Sequence, residues 1–216
     1  MSASSPPQAL PPESRPVGQL VGEAIRAYGR RFWPCLSLGL SLAAINQISA
    51  GHRVAVQALV LAAGAPFLTA SYIGACAIVF PGKAQRPWTA LVAGTLVFVP
   101  AAFLSLLYVL PAVAWLAFLG FAVPAAAVEG LPLRRVFRRS VDLARADTVH
   151  ALGGIATFVL VFGLTRGVLI LLLRNQSDIA DRAAVFLADL VISPILFLGP
   201  ALLYTDQAAR GSRVQA

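Results

Sequence analysis

From residue 32 to residue 204 the chain is an almost continuous apolar tract, and charge interrupts it only in short clusters. That tract decides the fold class before any motif is read. Hydrophobic residues make up 58% of the chain and charged residues 12%, with a mean hydropathy of +0.79; a soluble domain carries about 25% charged residues. Lipid offers the backbone no hydrogen bonds, so such a tract crosses it as helices of about 20 apolar residues. The 216 residues suffice for one polytopic bundle. The expected class is therefore all-α, a membrane helix bundle.

Length and punctuation divide the tract. Residues 88–128 carry no charge until Glu129. As a single helix this stretch would be about 60 Å long at 1.5 Å per residue, twice the hydrocarbon thickness. Two spans joined by a turn near residues 107–111 fit better, because Pro111 can begin a helix but breaks the interior of one. The expected spans are about 32–50, 54–80, 88–107, 110–128, 151–173 and 183–204, making six crossings as three hairpins. They form one membrane domain over residues 17–206, between a Pro/Ser-rich tail at 1–16, expected to be disordered, and a short tail at 207–216. No cleavable leader is evident in the first residues, so the first span is expected to act as the insertion signal.

Two basic segments show helical periodicity. Val17, Leu20, Val21, Ala24, Ile25 and Tyr28 share one face of the first, and Leu133, Val136, Phe137, Val141 and Ala144 are the apolar residues of the second. Both read as amphipathic helices lying in the membrane interface. In the second, Arg134, Arg135, Arg138 and Arg139 would meet anionic head groups at the inner leaflet. The arginines also orient the chain. With both termini in the cytoplasm, six crossings leave only Arg53, Arg174 and Arg182 outside, in accord with the positive-inside bias. The formal net charge of +8 then marks the cytoplasmic face, and no nucleic-acid partner is expected. Cys35 and Cys76 would sit near that face as free thiols.

Charges inside spans are costly, about 2.5–3.5 kcal/mol each on insertion scales, so they are expected to pair. Arg166 and Asp189 lie at matching depths on consecutive antiparallel spans, and they form the candidate intramembrane ion pair. The pair reads either as structural or as a polar site for a solute or proton. Gly163 and Gly167, and Ala70 and Gly74, are small-residue pairs that permit close helix approach. Ser140, Asp147 and His150 share one segment, but no nucleophile elbow accompanies them, and a polar helix end explains the spacing. No zinc spacing, Walker loop or dinucleotide fingerprint appears, so neither metal nor cofactor is expected, and no catalytic residue is assigned.

Three short motifs carry a resemblance. The segment from Val17 to Phe32 is an acidic-Ala helix ending in Tyr, basic residues and an aromatic. Pro124, Glu129 and Gly130 are followed by Arg139-Ser140, and the last span closes on Leu203-Tyr204-Thr205-Asp206. Together these resemble the bacterial glycerophosphoryl diester phosphodiesterase membrane-domain family. Two departures are Val141, where that family often has Trp, and the late closing Arg210. The resemblance implies a six-helix module of the bacterial inner membrane. It does not imply phosphodiesterase activity, which in the namesake enzymes belongs to a separate soluble domain. The expected role is a non-catalytic membrane module that binds lipid, a protein partner or a second copy of itself. A small-solute transporter or channel built on Arg166 and Asp189 is the alternative, and a membrane-embedded enzyme the third reading. A continuous polar cavity reaching Asp189 would speak for transport, and a closed apolar bundle for partner binding.

Overall fold

The computed structural model describes residues 11–82, 86–173 and 178–214, and every described element is helical. In chain order they are α1 (Val17–Arg30), α2 (Phe32–Ser49), α3 (Val54–Ala63), α4 (Ala65–Val79), α5 (Pro87–Leu107), α6 (Val109–Leu119), α7 (Ala122–Glu129), α8 (Leu133–Ala146), α9 (Thr148–Leu173) and α10 (Asp178–Val214). Four stretches are long and apolar enough to cross a membrane: Pro87–Ser105, Val109–Glu129, Thr148–Leu172 and Arg182–Ser212. A fifth is the pair α3 and α4, bent by 53° at a break beside Gly64. Helix α2 runs 18 residues but falls short of the others in apolarity. Its deficit comes from Ser37, Ser41, Asn46, Gln47 and Ser49.

The breaks follow the sequence punctuation. The charge-free stretch turns at Tyr108, whose extended backbone (φ −161°, ψ 156°) separates α5 from α6. Pro100 stays inside α5, and one turn before it the Val97 carbonyl accepts the Trp115 indole N–H at 2.9 Å. The α7 helix stops at Gly130, where φ is +65°. Glycine enters this left-handed region without a Cβ clash. The next helix, α8, then starts beyond Pro132 and folds back on α6 and α7. Along the chain, α2 and α10 make the most extensive contact. They meet where Gly39 lies so close to α10 that a Cβ there would stand 2.1 Å from the Leu190 carbonyl oxygen.

The turns at residues 50–53 and at Tyr108 occupy one end of the bundle, here called apical. The α1–α2 and α8–α9 junctions and the C-terminal turns of α10 occupy the basal end. Leu160, Leu164, Val168, Leu171 and Leu172 stand exposed along α9. In water a stripe of this size would be a liability, but in lipid it is an ordinary outer surface.

Both basic segments form helices. The α1 helix buries Leu20, Ala24 and Tyr28, and α8 buries Val136, Ser140, Leu143 and Ala144, so Ser140 and Leu143 complete a face the periodicity had assigned to Phe137 and Val141. Ile25, counted on the buried face of α1, is 53% exposed.

The expected tails need correction. Residues 1–10 lie outside the described residues, but Pro12–Ser14 forms a 3-10 turn and Arg15 is buried against α1 and α10. At the other end α10 continues through the expected tail to Val214, with Gln207 fully buried. Ion pairs made by Arg15 and Arg210 hold both segments, and composition alone does not show such pairing. Arg174, expected outside, lies beyond the described residues.

Candidate functional site

Charged and polar side chains gather in two places, and the quoted signature residues meet in the first. At the basal end Glu129, the last residue of α7, receives a forked contact from Arg139 on α8. Nε lies 3.1 Å from both carboxylate oxygens, and Nη2 lies 3.0 Å from Oε1. The Tyr204 hydroxyl of α10 donates to the same Oε1. The turn at Gly130 brings the end of α7 back to the start of α8, which places Glu129 opposite Arg139. Ser140 donates to the Phe118 carbonyl at 2.7 Å, where α6 ends, and Pro124 is buried within α7.

Two residues further along α10, Asp206 is fully buried. Arg15 Nη1 lies 3.0 Å from its Oδ1 and 2.9 Å from Glu23 Oε2 on α1. His150 Nε2 approaches the other oxygen of Asp206 at 3.5 Å. Asp147 accepts the His150 backbone N–H at 2.9 Å, capping the start of α9, and is paired with Arg210. Arg210 also donates to the Arg15 carbonyl at 3.1 Å, and Gln207 donates to the Asp147 carbonyl at 3.0 Å. Ser140 is bonded to the Phe118 carbonyl and the His150 ring faces Asp206, while Asp147 meets His150 only at its backbone N–H, so the three side chains are not joined as a nucleophilic triad. The arginines expected at the leaflet divide: Arg134, Arg135 and Arg138 are exposed, while Arg139 turns inward to Glu129.

The second place lies toward the apical end. Arg166 of α9 and Asp189 of α10 are brought together, with Arg166 Nε 3.7 Å from Asp189 Oδ1. That is an ion pair without a hydrogen bond, and Nε has no hydrogen-bond partner. Asp189 is held from elsewhere. Asn46 of α2 donates to its Oδ2 at 2.8 Å, and Ser193 donates to its backbone carbonyl. The carboxylate is 2% exposed and the Arg166 side chain 29%.

Beside this pair is a cavity of about 520 Å³, walled by α2, α3, α4, α5, α6, α9 and α10. Leu68, Phe98, Val113, Leu116 and Phe158 are typical of its walls. Among the described lining residues only Arg166, Ser105 and Tyr72 have polar side chains. The Ser105 hydroxyl is already spent on the Ala102 carbonyl at 2.6 Å. Among the described residues Arg166 is the sole charged one in the wall, and Asp189 does not line it. The charged residue in this wall thus has its counter-ion outside the lining.

Sequence reasoning paired Arg166 with Asp189 but missed Asn46, although an Asn inside an apolar span is itself a signal. It also missed Arg15, Glu23, Gln207 and Arg210 as members of the basal network. Of the small-residue pairs, Gly74 lies close to Leu38, whereas Gly163 and Gly167 face open space and pack against no other described helix.

No family model, no curated protein and no solved structure matches this chain.

Proposed function

We propose that this chain is a non-catalytic integral membrane module that binds lipid within its own bundle. The observation that carries this reading is the apolar cavity of about 520 Å³, which lies in the range of about 300–1,000 Å³ typical of small-ligand sites. Protein interiors close-pack, so a space of this size walled by hydrocarbon fits an apolar guest. Its walls also weigh against the polar solute path that transport would require.

In the same reading α2, with Asn46 turned inward onto Asp189, completes six crossings as three hairpins. The basal end faces the bacterial cytoplasm with both termini, α1 and α8 lie along the inner interface, and Arg134, Arg135 and Arg138 contact anionic head groups. The convergence of Glu129, Arg139 and Tyr204 in one contact supports the resemblance to the glycerophosphoryl diester phosphodiesterase membrane domains, because widely separated motif residues are then coupled physically. A second reading, solute or proton passage through Arg166 and Asp189, draws on the burial of that carboxylate beside an intramembrane cation.

The lipid reading is tested by native mass spectrometry of the protein released from mild detergent. One tightly held lipid per chain is expected, and Ala112→Phe, which fills the cavity, should abolish it without lowering the melting temperature. Wild type and variant carrying identical lipid would contradict a site in the cavity.

A further inference from the structure

The geometry points to an anionic amphiphile as the ligand: a hydrocarbon chain in the cavity and a carboxylate or phosphate on the Arg166 guanidinium. This inference rests on the lipid-binding reading above and specifies the charge of the ligand.

The argument begins with what the wall presents. Arg166 is the only charged residue among the described ones that line the cavity, and its carboxylate partner is not part of the lining. A guanidinium carries five N–H donors in a rigid fork suited to planar or tetrahedral oxyanions. Asp189 uses little of that capacity. Its nearest approach is to Nε at 3.7 Å, beyond hydrogen-bond length, while Asn46 takes one of its oxygens at 2.8 Å. The contrast with Arg139 is direct, since that arginine makes a forked contact with Glu129 at 3.0–3.1 Å. Arg166 is thus charge-balanced at a distance but poorly bonded, and its side chain is 29% exposed in a bundle whose cavity is otherwise apolar.

A cationic guest would be repelled, and a neutral guest would leave the fork unused. An oxyanion would gain charge-assisted hydrogen bonds in a medium of low dielectric, where they are strong. Asp189 acts as a positioning residue, as its negative charge keeps Arg166 within the bundle and competes with the incoming anion. Asn46 holds that carboxylate through its Oδ2, and no hydrogen bond ties the carboxylate to the fork.

The test uses the full chain in phosphatidylcholine nanodiscs and three ligands of equal chain length: palmitic acid, lysophosphatidic acid and hexadecanol. The acid, the phosphate or both should bind about ten- to a hundredfold tighter than the alcohol. Whichever anion binds tighter identifies the head group. Arg166→Gln should erase that preference while leaving alcohol binding in place. Asp189→Asn should strengthen anion binding several-fold, which a purely structural ion pair would not do. Equal binding of acid, phosphate and alcohol to the wild type would overturn the inference and leave the lipid reading standing. Binding of none of the three would overturn both.

Discussion

The bundle handles buried charge in two contrasting ways. At the basal end three acidic groups are met at or near hydrogen-bond distance: Glu129 by Arg139 and Tyr204, Asp206 by Arg15 and His150, Asp147 by Arg210. These contacts join the segment before α1 to α9 and α10, and the end of α7 to α8 and α10. Toward the apical end Asp189 and Arg166 stand 3.7 Å apart, and the cation lines a cavity instead of a packed interface. The basal guanidinium groups of Arg15, Arg139 and Arg210 each reach a carboxylate at hydrogen-bond distance and so tie helices together, whereas that of Arg166 is balanced by its carboxylate only at longer range. On the reading proposed above, the same residue type does structural work at one end and ligand work at the other.

The comparison breaks most readily at the basal end. Asp206→Ala leaves Arg15 and His150 without their shared carboxylate, and breaking a buried pair costs about 3–5 kcal/mol. The expected result is a large fall in thermal midpoint or loss of folded protein, read by fluorescence-detected chromatography; an unchanged midpoint would show that the network is not structural. Next comes Gly39→Val. The added carbons would meet the Leu190 carbonyl and Pro194, and overpacking costs about 1–3 kcal/mol. A normal melting curve would deny the close approach of α2 and α10. Arg166→Gln should change stability less than either, because it gives up no hydrogen bond to Asp189, yet it should remove selectivity for anionic ligands. Smallest of all is the combined change of Arg134, Arg135 and Arg138 to Gln. It should leave melting unaltered and reduce only the anionic lipid retained around the purified protein, measured by lipid extraction.

What was legible in the sequence follows from the same physics. A charge in an apolar span has few places to go, so Arg166 and Asp189 could be paired from depth alone. The turn at Tyr108 followed from the excess length of residues 88–128 and from Pro111. The basal network was hidden for two reasons. Pro and Ser around Arg15 read as disorder, and its partner Asp206 lies 191 residues away. Asn46 belongs to no motif and did not enter the sequence reading, although it lowers the apolarity of α2 and anchors Asp189. The cavity could not be read at all. It arises where small residues such as Ala101, Ala102 and Ala112 face one another across helices, and only their three-dimensional arrangement shows whether neighbours close that space.

The central claim is that a lipid chain lies inside the bundle beside Arg166. It is tested most directly by illuminating the protein with a fatty acid that carries a photoreactive group midway along its chain, then mapping the labelled peptides. The account predicts label on the cavity walls, at Phe98, Leu116 and Phe158, and its loss in Ala112→Phe. Label confined to the outward residues of α9, such as Leu164 and Leu171, would contradict it.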